Sequence, residues 1–256
     1  MAMIDDKELK EKVKVMYQKV ATEPKGEFHF EMGRKMAERL GYSAEDLDKI
    51  PAESIDSFAG VGFHFGFADL KEGERVLDLG SGSGMDTFVA SLKADEKGLV
   101  TGIDMTDAQI NNAESLRQKN GFGNNIIYVN GLIEKLPFPD GTFDVVISNG
   151  VINLISEKEA VFKEIARVLK VGGRLAISDI VTEKELTENI VCDTTLWASC
   201  IGGAMQIDRY KETISNSGME VKEVKDNPEY QFLSNAAQGA TEKFGVKSIS
   251  LLAVKN

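Results

Sequence analysis

Apolar positions in the first seventy residues recur at helical spacing. Leu9, Val13, Met16, Tyr17 and Val20 share one face of an otherwise charged segment, the stripe an amphipathic helix turns toward a core. A second amphipathic stretch runs from about Phe28 to Leu40. Gly41 follows as a stop, and Ser43 is placed to cap a short third helix that ends before Pro51. Ser57–Ala68 (SFAGVGFHFGFA) then holds four phenylalanines and three glycines. It is too broken by glycine for a helix and too aromatic for a solvated loop, so it requires an apolar cover.

From residue 74 the pattern changes. Arg75–Leu79 reads as a buried strand, followed by a glycine turn and a helix to about Leu92. Further strands are expected at Leu99–Asp104, Ile126–Asn130 and Phe143–Ser148. Between the first two of these, Thr106 and Gln109 have the spacing of a capping box for a helix running to about Lys119. Glu157–Leu169 is amphipathic and helical, and the turn Lys170–Gly173 leads into a strand at Arg174–Ile180. Helices near 185–200 and 207–217, a strand near 219–225 and a last strand at 247–254 complete the chain. Strands separated by helices of this length predict βαβ units and a parallel α/β sheet with right-handed crossovers. The expected division is a helical cap with an aromatic lid at 1–73 and an α/β domain at 74–256, with 185–217 an inserted helical cover.

Composition narrows the function. The chain has 256 residues, is 42 % hydrophobic and 28 % charged, and carries a formal net charge of −11. Acidic balance without a basic patch argues against nucleic acid as a partner, because that affinity rests on cationic side chains displacing counterions. A small-molecule acceptor fits better. Cys192 and Cys200 are not in a CxxC pair, and His29 and His64 lie far apart, so no metal centre is expected. The start, MAMIDDKELKEK, lacks the apolar core of a signal peptide. No apolar run nears the roughly 18 residues of a membrane span, and a cytoplasmic protein is expected.

The strongest chemical signal is Val76–Gly84, VLDLGSGSG, at a strand-to-helix junction. Glycines there let a ligand approach the backbone, and the next helix offers free N–H groups. A dinucleotide fingerprint wants glycine where this chain has Met85, which argues against a nicotinamide enzyme. Instead GxGxG is preceded by Asp78, an acid placed to face a cation. S-adenosylmethionine, which carries a sulfonium and an amino acid but no phosphate, suits that arrangement. Asp104 closes the second strand where a carboxylate takes ribose hydroxyls. Ile133 and Glu134 follow the third strand and are placed for adenine, and Asn149 follows the fourth. A set of polar groups shaped to a nucleoside, presented at four strand ends in chain order, is hard to explain by core packing.

With these residues in view, the chain resembles class I S-adenosylmethionine-dependent methyltransferases, and within them the arsenite methyltransferase family. The resemblance is carried by LKEGERVLDLGSGSGMDTF, VTGIDMTDAQI, GLIEKLPFPDGTFDVVISNGVINL, EIARVLKVGGRLAISDIV and CIGGA, from roughly Gly41 to the end. It implies a Rossmann-like, seven-stranded and mostly parallel sheet with an antiparallel last strand. It also implies cofactor contacts at Asp78, Gly80, Ser81, Gly82, Asp104, Met105, Gln109, Ile133, Glu134 and Asn149, with Tyr17 resembling a tyrosine that covers the cofactor.

The acceptor residues depart from the family. Its members hold trivalent arsenic with cysteines at three places, where this chain has Val61 between Gly60 and Gly62, then Gly150, and only at the third a cysteine, Cys200. A soft trigonal metalloid requires about three thiolates, so arsenite methylation of the usual mechanism is not expected. With Phe58, Phe63, Phe65 and Phe67 close by, the acceptor side reads as apolar, lined by Phe63, His64, Gly150, Trp197 and Cys200. A mobile aromatic lid is the matching hypothesis. His64 is the one histidine placed to act as a base, and Cys200 stays open between a substrate contact and a remnant. The expected activity is methyl transfer to a small soft or apolar acceptor. The alternatives are metalloid methylation with a reduced thiol set, and a protein that binds the cofactor without catalysis.

Overall fold

Strands rich in Val, Ile and Leu suit a parallel sheet, since helices cover both of its faces. The structure, a computed structural model, describes residues 5–24, 26, 28, 30–193, 196, 197 and 201–256, with 235–237 described by backbone alone. Five such strands run parallel: β1 (Arg75–Leu79), β2 (Leu99–Asp104), β3 (Ile126–Asn130), β4 (Phe143–Asn149) and β5 (Leu169–Thr182). A two-residue β6 (Met205–Gln206) pairs with the end of β5, and β7 (Met219–Asp226) lies at the far edge. The last strand, β8 (Lys247–Lys255), runs antiparallel to both β5 and β7. The sheet order is β3-β2-β1-β4-β5-β8-β7, which is the expected Rossmann-like arrangement with a short extra strand.

The chain moves outward from β1 through β2 and β3, then returns to lay β4 on the other side of β1. Helices on either side of such a reversal diverge and leave a crevice beyond the carboxyl ends of the strands. Register keeps those ends level: Leu79 of β1 lies beside Ile103 of β2 and Ser148 of β4.

The helices are α1 (Asp6–Thr22), α2 (Arg34–Leu40), α3 (Ala44–Leu47), α4 (Ala52–Asp56), α5 (Phe65–Ala68), α6 (Met85–Ala94), α7 (Asp107–Lys119), α8 (Lys158–Val168), α9 (Glu188–Val191), α10 (Ile207–Asn216) and α11 (Asn235–Phe244). Successive residues of β1 point to opposite faces. Leu77 and Leu79 join Phe162 and Ile165 of α8 and Ile214 of α10 in one core. Val76, with Val145, Ile147 and Ala176, joins Phe88 and Val89 of α6 and the α2–α5 region in the other. Among the described residues, no helix is long and apolar enough to cross a membrane.

Local signals set several ends. The Ser43 side chain accepts the Asp46 N–H at 3.1 Å, and Gly41 ends α2 in the left-handed conformation. Other expectations are corrected. The helix expected from Phe28 begins only at Arg34, after Gly33 at φ +87°. The Thr106–Gln109 capping box does not form, because the Gln109 amide is taken up by Ser83 and the backbone of Tyr17. The turn at Lys170–Gly173 is absorbed into β5 as an irregularity in its pairing with β4. In the region expected as a helix near 185–200, α9 covers only Glu188–Val191, and residues 194, 195 and 198–200 lie outside the described residues. Helix α11 was not expected.

The aromatic segment is also corrected. Despite its glycines, Phe65–Ala68 forms one helical turn. Phe65 is buried, and Phe63 and Phe67 pack against the same core as α6, filling the space between the N-terminal helices and the sheet. These three rings are wedges between layers, whereas the expectation was a lid. His64 is fully buried, its ring 4.5 Å from that of Phe65, and neither ring nitrogen has a hydrogen-bond partner.

Burial holds the His64 pKa down at about 3. A histidine whose folded pKa lies below its unfolded value of roughly 6.5 contributes stability that is complete above that value and is lost as pH falls toward the folded pKa. At pH 5 the loss is about 2 kcal/mol. Replacing His64→Leu therefore flattens the acid side of the stability profile. Urea denaturation at pH 7.5 and pH 5 checks this, with the gap between the two midpoints expected to shrink in the variant.

Candidate functional site

The turn after β1 is built by glycines. Gly80 sits at φ +68°, where L side chains are strained, and a Cβ there would run into the Val151 side chain. The N–H groups of Gly80 and Ser81 both donate to the Ile103 carbonyl, at 2.8 and 3.0 Å, fastening the turn to β2. Gly82, at φ +53°, donates its N–H to Asp104 Oδ2 at 3.1 Å. The other Asp104 oxygen accepts the Thr106 N–H at 2.8 Å. Burial raises the Asp104 pKa while these N–H donors lower it.

A cavity opens above this turn. It is a concave site that opens to solvent, the form in which small molecules are bound. From β3 it is walled by Ile133 and Glu134, from β2 by Asp104 and Met105, from β1 by Asp78, Gly80, Ser81 and Gly82, and from β4 by Asn149 and Gly150. Gln109 of α7 and Tyr17 of α1 complete this set. The structure thus brings together every residue that the sequence suggested for the cofactor, and Gly150 from the acceptor set.

Phe63, His64 and Trp197 do not line the cavity. Phe63 packs edge-on against Tyr42 with centroids 4.9 Å apart. Trp197 is 4 % exposed, donates its indole N–H to the Val191 carbonyl at 2.6 Å, and lies under the Lys158 ammonium at 4.9 Å. Cys200 lies outside the described residues. Of the four phenylalanines in the aromatic segment, Phe58 alone faces the cavity, beside Ala59 and Gly60.

Two residues that sequence reasoning missed complete the electrostatics. Asp86, in the first turn of α6, lines the cavity while only 6 % exposed. The Tyr42 hydroxyl donates to its Oδ1 at 2.6 Å, and Asn149 Nδ2 donates to its Oδ2 at 3.2 Å. Asp78, 2 % exposed, accepts the Thr87 hydroxyl at 2.7 Å. Burial, and then the neighbouring Asp86 charge, push the Asp78 pKa well above the usual carboxylate range. Burial likewise lifts Asp86 to about 6, against its two donors. None of the described residues lining the cavity is a lysine, arginine or histidine. The one acid with a basic partner is Glu134, 2.9 Å from Lys10 of α1. The acid after the glycine turn, Asp86, is a signal that was present in the sequence. Its partner Tyr42 stands 44 residues earlier, and no local pattern joins the two.

Asn149 fixes the acceptor side. Its Oδ1 accepts the Val61 N–H at 2.8 Å and its Nδ2 donates to the Gly62 carbonyl at 3.0 Å. The Val61 carbonyl is held in turn by the Ser248 hydroxyl at 2.6 Å. Val61 is 1 % exposed and lies over Gly150, where a Cβ would stand 3.2 Å from the Val61 side chain. Helix α1 roofs the other end through Val13 and Tyr17. It is tied down where Gln109 and Asn112 donate to the carbonyls of Tyr17 and Ala21, at 3.0 and 2.8 Å, and where Ser156 donates to Asp6.

Residues 70–218 match the family described as a methyltransferase domain. An arsenite methyltransferase from Halobacterium salinarum is 38 % identical over 78 % of this chain and 51 % of its own length. One from Homo sapiens is 46 % identical over 51 % of this chain and 37 % of its own. The chain thus spans about half or less of the length of these relatives. An arsenic(III) S-adenosylmethionine methyltransferase from Chlamydomonas reinhardtii has a TM-score of 0.67 at 30 % identity, covering 88 % of this chain and 74 % of that one. With this fold, this glycine turn and these relatives, the chain belongs to the class I S-adenosylmethionine-dependent methyltransferases and is similar, within them, to the arsenite methyltransferases.

Proposed function

We propose that this chain binds S-adenosylmethionine in the cavity at the strand ends and serves transfer of its methyl group to a small, soft or apolar acceptor, with S-adenosylhomocysteine as the other product. The observation that carries this reading is the set of carboxylates Asp78, Asp86 and Asp104 lining a cavity whose described walls hold no lysine, arginine or histidine. Buried charge of one sign is costly unless a partner neutralises it. Among the described residues no cluster of histidine, cysteine or acidic side chains suits a metal ion, so an organic cation fits better. The Ser81 hydroxyl, in the cavity wall, is buried without a protein partner, which also suits a polar ligand.

Bound there, S-adenosylmethionine supplies a methyl group made electrophilic by its sulfonium. The chain's own part is to hold and enclose. Asp104 is placed for a ribose diol, Ile133 for a flat apolar ring, and α1 for exclusion of water from above. The part of the wall left for an acceptor is apolar: Phe58, Ala59, Gly150, Val151, Leu154 and Ile155. A soft or already activated nucleophile needs positioning at roughly 3–3.5 Å more than it needs a base, and His64, buried away from the cavity, is not placed to serve as one.

Similarity to arsenite methyltransferases favours a second reading, metalloid methylation. Against it stands the thiol count. The whole chain has two cysteines, none among the described residues lining the cavity, and Val61 fills the space over Gly150. A trigonal metalloid held by about three thiolates has no such seat. Localisation in the cytoplasm and the division at residue 73 stand as proposals beside this one.

Two outcomes are expected. Calorimetry finds binding of S-adenosylhomocysteine and none of NAD, and Asp104→Asn weakens the former roughly 10- to 100-fold, the worth of hydrogen bonds to a charged group. An undiminished affinity in that variant overturns the assignment. Incubation with arsenite, thiol reductant and S-adenosylmethionine yields no methylated arsenic above a control lacking protein, and steady turnover there establishes the metalloid reading instead.

A further inference from the structure

Asp104 suits the ribose, and Asp78, within β1, turns one oxygen to the Thr87 hydroxyl, whereas Asp86, at the start of α6, has not yet been given a ligand group although it lines the same cavity. Its carboxylate is fixed from two sides, by Tyr42 O–H at 2.6 Å on Oδ1 and Asn149 Nδ2 at 3.2 Å on Oδ2. Those donors come from the segment before α3 and from the end of β4, so the position of Asp86 is specified by three separate parts of the fold. Each carboxylate oxygen has about two acceptor sites, so each keeps one beyond the donor it already has, on a residue that lines the cavity.

The layout of the cavity says what belongs there. The nucleoside seats, Ile133 and Asp104, lie at the ends of β3 and β2, and strand order then places β1 and β4 next. A ligand extended along the strand ends therefore reaches Asp78, Asp86 and Asn149 with its non-nucleoside end. S-adenosylmethionine carries two cations in that half. The sulfonium has no N–H to donate, whereas the primary ammonium has three donors in a compact head. A carboxylate with open acceptor sites, buried beside a second acid and lacking any cationic side chain in the described wall, matches the ammonium. The unpartnered buried hydroxyl of Ser81 in the same wall is a separate sign that polar ligand atoms complete this surface.

We propose that Asp86, held in place by Tyr42 and Asn149, is the anchor for the α-ammonium group at the amino-acid end of the ligand. This rests on the cofactor reading above. Tyr42 does not line the cavity and is a positioning residue. Its hydroxyl keeps Asp86 turned to the ligand.

The test compares two probes by calorimetry at pH 7.5: S-adenosylhomocysteine, and 5′-methylthioadenosine, which keeps the nucleoside and thioether but lacks the amino-acid end. Asp86→Asn is expected to weaken S-adenosylhomocysteine about 10- to 100-fold and leave 5′-methylthioadenosine within about twofold. Tyr42→Phe, which removes one hydroxyl and keeps the ring in its packing, is expected to show the same selectivity at roughly 3- to 10-fold, and it decides the matter should Asp86→Asn not fold. Equal losses for both probes, or no loss for S-adenosylhomocysteine, overturn the anchor while the cofactor reading stands. A wild-type chain that binds neither probe overturns both.

Discussion

Four acids line one cavity whose described walls contain no basic side chain, and three of them, Asp78, Asp86 and Asp104, have no basic partner in the described structure; burying those three is the constraint to which the neighbouring structure is fitted. Charge taken out of water is tolerated only with donors or a counter-ion at hand. The donors are visible: Thr87 for Asp78, Tyr42 and Asn149 for Asp86, the N–H groups of Gly82 and Thr106 for Asp104. They hold the acids in place without neutralising them. Asp78 and Asp86 are both pushed upward in pKa, first by burial. A site of this kind is less comfortable empty than occupied by a cation, which is the physical content of calling it a binding site.

The frame that makes this possible is the reversal of strand order at β1, where β4 is laid parallel on the side opposite β2. It leaves the ends of β1, β2 and β4 level and uncovered by their own helices. Asn149, the last residue of β4, then works as a junction. One side-chain amide accepts from Val61, donates to Gly62 and donates to Asp86. The segment around residue 61 and the acid of α6 are thereby coupled through a single group. Gly60 is part of the same fit, because a Cβ there would collide with the Phe58 ring and stand 2.7 Å from Asn149 Nδ2.

How much of this was legible in the sequence follows from the range of each interaction. Strands β1 to β4 and the glycine turn are written in local order, as buried runs between turn residues, and the structure has them within a residue or so. So are the strand-end residues Asp78, Asp104, Ile133 and Asn149, all of which line the cavity. What local order cannot show is which tertiary partner a side chain chooses. Gln109 has capping-box spacing, yet it bonds Ser83 and the Tyr17 carbonyl because α1 lies across α7. His64 and Phe63 look like pocket residues beside flexible glycines, yet the space between α2–α4 and the sheet claims them. Asp86 looks like an acid at a helix N-terminus, favourable there for its own reasons, and its partner Tyr42 is distant in sequence. The resemblance to a known family supplied the cofactor set but not Asp86.

Val61 and Gly150 show how little a shared frame fixes of the groups it presents. In the related enzymes the resemblance places thiols at positions that here are Val61 and Gly150. The structure puts those two residues in contact, so the exchange of side chains acts on one small volume and not on two unrelated spots. Val61 is 1 % exposed with both of its backbone polar groups bonded, to Asn149 and Ser248, and Gly150 donates its N–H to the Ser178 carbonyl at 2.8 Å. The backbone at both positions is therefore held by hydrogen bonds, while the groups it presents are an isopropyl and a hydrogen. Such a surface exerts no pull on a soft cation or metalloid and contributes only shape and dryness. Beside these two residues the cavity wall is formed by Phe58, Val151, Leu154 and Ile155, side chains that offer shape and an apolar surface but no charge.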